Sequence, residues 1–502
     1  MRPERYLPRL RSHLHVTDDG VLVDPLPDRD VQLSAVGRRL AAVLDGQHEL
    51  GEILEGLVAA GFARADAETS FRWLLLVHAV EGAGDTTAGQ VDAIARGQRR
   101  LPIIVLDKSR FQCQGSGACC QNYLFGPIYD DDAARLESLD LATAFPDLAP
   151  PYVITGERGI RHLRSVDEQC IFLEGGHRCR IHARFGAAAK PRICQLYPIE
   201  THATIAGLRV ADKGSCARFA TSSRTGEHMV DDLERVKSLL AEVPFDLHHP
   251  IVTIDGIPCD YGIALDFGKT AMALVKANVG TAGTTLAAIG DGLYRLRAAL
   301  ARCPLEPGQP DRAVAKTLAS SASWGMAPGN QDERIGAVAL AGLIESIRAA
   351  IADEPTAAWR PDLPIVGEIV RLLAFTAEGA RAAAAGIAPV RADDPDIDDV
   401  LRLSLRQQLF GQRAVIGLRV AVGLMRIALI QVLAVWGARL AAHEEGRPAI
   451  RTEDLSRGHM LAIRLLELSS VERALVQLEP MWRALLAGLP RVLALDYLRP
   501  IP

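Results

Sequence analysis

The chain has 502 residues, of which 49% are apolar, 23% charged and 5% aromatic, with a formal net charge of -5 at pH 7. That length corresponds to roughly three domains with ample chain for substantial cores, and the composition suits a soluble, largely helical protein. So small a charge on so long a chain lacks the electrostatic signature of a nucleic-acid binder or of a protein held to an anionic membrane.

The N-terminus, MRPERYLPRLRSH, carries charge with no following apolar run. No signal peptide is read there, and the expected location is the reducing cytoplasm. Residues 1–85 form a first unit. HLHVTDDGVLVDP alternates apolar and polar residues around Asp18, Asp19 and Gly20, which predicts a hairpin. LSAVGRRLAAVLDG opens on Ser34 as N-cap, carries apolar residues at helical spacing and stops at Asp45 and Gly46. ELGEILEGLVAAGF and AETSFRWLLLVHAVEGAG predict two more helices, giving a small hairpin-plus-three-helix domain. The run Leu33, Gly37, Leu40, Leu44, Asp45, Gly46, Leu50, Ile53 and Leu54 resembles the PQQ-biosynthesis peptide chaperone family, whose fold also serves as a recognition element for precursor peptides. The resemblance implies a peptide or protein partner, added as an edge strand. The alternative is a winged-helix-like accessory domain.

Residues 86–110 read as a linker: a polar helix, then the short strand LPIIVL leading into the cysteines. Arg96, Arg99, Arg100, Lys108 and Arg110 make it locally basic. No aromatic residues interleave to stack on bases, so a solvated face is expected rather than a nucleic-acid partner.

Residues 111–222 hold seven of the nine cysteines: Cys113, Cys119, Cys120, Cys170, Cys179, Cys194 and Cys216. In a reducing compartment such clustering points to metal ligands or redox groups rather than structural disulfides. No C-x-x-C pair occurs, which argues against a thioredoxin-like site and ordinary zinc ribbons. Thiolates suit zinc or an iron–sulfur cluster, each taking about four, so seven exceed one site. Adjacent Cys119 and Cys120 would point in opposite directions along an extended backbone. Gly115 and Gly117 let the chain fold tightly around a centre. Between the cysteine blocks, YDDDAARLESLDL predicts a helix with Asp130 to Asp132 as caps at its N-terminus. YVITGERGIRHLRSV and ATIAGLRVAD predict hairpins. The alternative to a metal-binding domain with short strands is a reduced cysteine-rich core without metal.

FQCQGSGACC, CIFLEGGHRCRIHARFG and KPRICQLYP together resemble the zinc- or iron-chelating cysteine-cluster family often called YkgJ-type, which includes the flagellin lysine N-methylases. The matching residues are Phe111, Cys113, Cys119, Cys120, Cys170, Phe172, Leu173, Cys179, Ile181, His182, Pro191, Cys194, Tyr197 and Pro198, within residues 105–220. Two departures stand out: Gly115, Ser116 and Gly117 occupy an interval where the family's simplest form has a further cysteine, and His182 replaces an aromatic residue. His182 and His177 flank Cys179 and read as packing or surface residues before ligands. Tyr123, Lys190, Arg192 and Tyr197 lie in or beside the motifs, where a cation would offset thiolate charge. The resemblance implies an iron–sulfur cluster or zinc, and lysine N-methylation with S-adenosylmethionine as donor, although no donor-binding motif is found.

Residues 223–502 predict a large irregular helical domain rich in Ala, Leu, Val and Arg. Its most membrane-like stretch, RAVIGLRVAVGLMRIALIQVLAVWGARL, is interrupted by Arg413, Arg419, Arg426 and Arg439. A buried helix is expected instead of a span. DFGKT at 266–270 lacks the spacing of a phosphate loop, and Cys259 and Cys303 are expected to fill apolar sites. The fold class is therefore α+β and predominantly helical. The functional reading is a metal-cluster protein that modifies a peptide or protein; the alternative is a non-catalytic interaction module with a structural centre.

Overall fold

The computed structural model describes residues 6–12, 14–23, 31–77, 79–81, 101–121, 125–156, 159–167, 169–240, 252–277, 280–306, 309–324, 333–352, 364–384, 395–411, 419–486 and 493. The fold is α+β and predominantly helical. The expected hairpin pairs His15–Val16 with Val21–Val23, and Val31–Gln32 adds to the other side of Val21–Val23. Ser34 caps Ala35–Ala41 by accepting a hydrogen bond from Gly37 N at 3.1 Å, as the sequence predicts, although the helix ends four residues before Asp45 and Gly46 make their turn. Helices Leu50–Ala59 and Arg64–Leu76 follow, and Leu40, Leu50, Phe71 and Leu75 form the buried centre of this unit. The third helix is keyed into the rest of the chain: Leu76 O accepts from Asp260 N at 2.9 Å, and Arg72 Nε donates to Cys303 O at 3.0 Å.

The linker helix expected at residues 86–100 lies outside the described residues. The strand within LPIIVL is present as Ile103–Val105 and pairs parallel with Gly207–Asp212. That strand in turn forms an antiparallel hairpin with Ile199–Thr204. Val153–Thr155 and Arg161–Leu163 form the second expected hairpin. Arg110–Phe111, just before the first cysteine, pairs with Glu227–His228. The cysteines fall at the ends of these short strands, within short helical turns and on the loops beside them.

The C-terminal helices surround Val420–Glu444, which packs chiefly on Thr452–Leu466. Val420–Glu444 is long and apolar enough to cross a membrane by composition, yet 94% of its most apolar window is buried inside the protein. Its arginines are accommodated by backbone acceptors: Arg426 donates to Leu466 O, and Arg439 donates to Leu493 O at 2.8 Å. Arg413 lies outside the described residues. DFGKT falls within helix Tyr261–Ala277, so the phosphate-loop pattern is indeed coincidental. Cys259 and Cys303 are buried and free, as expected.

Candidate metal centre

The first cysteine block is shaped by two glycines in left-handed conformations, Gly115 at φ +63 and Gly117 at φ +69. A Cβ on Gly117 would collide with Gly176 O and His177 Cα, whereas one on Gly115 would meet nothing. Gly117 thus lets the first block close onto the Gly175–Gly176 turn between Cys170 and Cys179. Gln121 fixes the same contact by donating from Nε2 to Gly176 O at 2.9 Å.

After Gly117 the chain enters a single 3-10 turn, Ala118–Cys120, and the backbone at the double cysteine is therefore not extended. Instead of facing opposite ways, the Cys119 and Cys120 sulfurs approach to 3.8 Å. A tetrahedral metal with sulfur bonds near 2.3 Å separates its sulfurs by about 3.8 Å, so this pair can form one edge of such a site.

The second block contributes Cys170, at the end of strand Gln169–Cys170, and Cys179, the last residue of strand Arg178–Cys179. Cys194 sits in the short helix Arg192–Leu196, and Cys216 follows strand Gly207–Asp212 on a loop. The aspartates of YDDDAARLESLDL do not cap their own helix, whose N-cap is Tyr129. Asp132, fully buried, accepts instead from Arg192 N at 2.9 Å, and Asp131 pairs with the Arg192 guanidinium. These carboxylates hold the N-terminus of the helix that carries Cys194. The Cys216 loop is pinned from the helical domain: Gln407 accepts from Asp212 N at 3.1 Å, and Gln408 donates to Lys213 O at 2.8 Å.

These elements bring the seven thiols to two adjoining cavities. One, of about 500 Å³, is lined by Cys113, Cys119, Cys120, Cys170, Cys179 and Cys194 together with Phe125, Leu163, Phe172 and Ile181. The other, of about 320 Å³, is lined by Cys113, Cys119, Cys194 and Cys216. Among the described residues, no group of three or more His, Cys, Asp or Glu side chains is arranged to hold a single metal ion. The thiols surround a space rather than a point.

Electrostatics separates them. Cys119 is held down to about 7 by its hydrogen bond with Cys120, assisted by the charges of Lys190 and Arg464. The same bond and burial push Cys120 up, so Cys119 is the more readily ionised of the two. Burial pushes Cys170 and Cys216 up to about 12 and also raises Cys179 and Cys194. Neutral thiols in an apolar wall are what a thiophilic metal deprotonates on binding. The charged residues lining the larger cavity, Arg178, Lys190 and Lys213, are all basic, and its described lining has no carboxylate to compete with sulfur or to hold a hard cation. By chemistry alone the donors suit a thiophilic centre such as zinc or iron–sulfur rather than a hard cation, although the described thiols are not gathered around one point.

His182 lines both cavities with its pKa lowered by burial and by Lys190, and His177 lines the larger with Nδ1 2.7 Å from Gly175 O. Tyr197 donates to Ser215 O, and Tyr123 lies outside the described residues. Asp132, Gln407, Gln408 and Arg464 are supporting residues that sequence reasoning missed. Their partners lie 60 or more residues away, and no local spacing signals them. Comparison with known proteins finds no matching family model, curated protein or solved structure.

Proposed function

We propose that the chain is a peptide- or protein-modifying enzyme built around an iron–sulfur or zinc centre held by cysteines among Cys113, Cys119, Cys120, Cys170, Cys179, Cys194 and Cys216. The observation that carries the reading is the cavity of about 500 Å³ with six thiols in its wall beside apolar and basic side chains. A closed structural site needs no adjoining space, whereas a reacting centre needs room for a substrate group. The N-terminal unit supports peptide capture, because Val31–Gln32 pairs on one side with Val21–Leu22 and is an outer strand of its sheet.

Lysine N-methylation with S-adenosylmethionine is the reaction carried over from the family resemblance. It requires a neutral amine, and the basic wall of Arg178 and Lys190 would lower the pKa of a lysine entering beside them. A second reading, a non-catalytic interaction module, draws on the 3.8 Å Cys119–Cys120 separation, which suits one edge of a closed tetrahedral zinc site.

The test is purification without oxygen, followed by measurement of iron, zinc and acid-labile sulfide per chain beside the visible spectrum. Iron with matching sulfide supports the enzyme reading. Zinc alone keeps the centre and shifts the weight to the structural module, and absence of both metals overturns the centre itself.

A further inference from the structure

The helical domain has no chemistry of its own in this reading, yet one of its side chains reaches the double cysteine. Arg464 lies in the last turn of helix Thr452–Leu466 and is 9% exposed. Its Nη2 donates to Ala118 O at 3.2 Å and to Gln121 O at 2.9 Å, partners 346 and 343 residues away in sequence. Those two carbonyls bracket Cys119 and Cys120. One planar, permanently charged group therefore spans the ends of the turn. The turn's own hydrogen bonds are few: Cys120 N donates to Gly117 O at 2.8 Å, and Gln121 N donates to Ala118 O at a long 3.4 Å. With flexible Gly115 and Gly117 just upstream, they give the pair little independent rigidity. The same helix end also holds the Cys216 loop, through Lys213 Nζ and Glu467 Oε1 at 2.7 Å.

We propose that Arg464 is a positioning residue of the metal centre: it fixes where Cys119 and Cys120 present their sulfurs and places a constant positive charge behind them. The helical domain then completes the site instead of merely enclosing it. This inference rests on the reading of the cysteines as metal ligands.

The experiment compares full-length wild type, Arg464→Met and Arg464→Lys by hydrogen exchange and by cobalt(II) binding to the metal-free protein. In Arg464→Met, the Cys120 and Gln121 amides exchange about tenfold faster or more, while the interior amides of Thr452–Leu466 keep their protection. The sulfur-to-cobalt absorption bands shift, and a chelator removes cobalt about tenfold faster. Arg464→Lys recovers part of the chelator resistance, because it keeps the charge and reaches one carbonyl. Unchanged exchange and an unchanged cobalt spectrum in folded Arg464→Met overturn the proposal. Should Arg464→Met not fold, the same two measurements on Arg464→Lys decide it, with no change overturning it. If wild type takes up no cobalt, the ligand reading fails and the proposal with it; the exchange comparison then tells whether Arg464 holds a turn that serves no metal.

Discussion

Asp132 accepts a hydrogen bond from Arg192 N at 2.9 Å, joining a helix before the second cysteine block to the helix that carries Cys194. Asp132 is fully buried, and the same Oδ1 also pairs with Arg135. Replacing it leaves the Arg192 amide without its acceptor and Arg135 without its counter-ion. Asp132→Ala should cost about 2–4 kcal/mol and let Cys194 react faster with iodoacetamide in the metal-free protein. Asp132→Asn keeps an acceptor and should fall between. Denaturant unfolding and mass spectrometry of the labelled peptide measure the two effects; an unaltered Cys194 rate in Asp132→Ala would remove this residue from the site's support.

Gly115 and Gly117 offer a paired comparison. Both hold left-handed backbone, which costs an alanine roughly 1–2 kcal/mol, but only at Gly117 would the new Cβ strike backbone. Gly115→Ala should be mildly destabilised and retain its metal. Gly117→Ala must also push the Gly175–Gly176 turn away, separating the double cysteine from Cys179. Metal content measured on both variants distinguishes this packing from a general need for flexible chain, which would weaken both alike.

Two buried titrations oppose each other. Burial raises Asp212 to about 7, so between about pH 4 and 7 the folded chain holds a proton that the unfolded chain has lost. Its contribution therefore falls as pH rises. Burial lowers His459 to about 4, so between about pH 6.5 and 4 the unfolded chain gains a proton that the folded chain refuses. Its contribution is present above that window and is lost as pH falls. Each is worth a few kcal/mol, roughly, and they nearly cancel in the range they share. Asp212→Asn keeps the acceptor for Gly214 N and removes one slope. The variant should be more stable than wild type at pH 8 and lose stability on acidification from pH 6.5, measured by denaturant midpoints. A pH profile parallel to that of wild type would sink the Asp212 assignment.

How much of this was legible in the sequence follows from the range of each interaction. Ser34 caps its helix through a partner three residues on, and the hairpins at 153–163 and 199–212 close over short turns; such features are written locally. The clustering of cysteines was equally plain, but the double cysteine's geometry was not. Its turn depends on Gly117 meeting Gly176 and on Arg464 arriving from a helix 346 residues further along the chain than Ala118. Asp132 looked like a cap because acidic residues do open its helix, and its partner's amide is invisible to any local pattern. Helices Tyr261–Ala277, Ala282–Arg302 and Gln309–Ala319 were not individually foreseen within the helical domain. Their stability comes from burial against one another and against the helix that carries Leu405 as much as from their own periodicity.

Cys119 is the thiol whose ionisation is eased, chiefly by its hydrogen bond with Cys120. In metal-free protein, alkylation of Cys119 should reach half its limiting rate near pH 7, while Cys170, pushed up to about 12, stays nearly inert at that pH. Cys120→Ala removes that partner and should move the Cys119 profile to higher pH, slowing its reaction at pH 7 about tenfold for each unit moved. Lys190→Met should move it the same way by less, because the lysine acts through charge alone. Loading zinc or iron should abolish the reaction of Cys119 if its sulfur is a ligand. An unprotected Cys119 in the metal-loaded protein would remove it from the ligands and leave its eased ionisation to the contact with Cys120 at 3.8 Å.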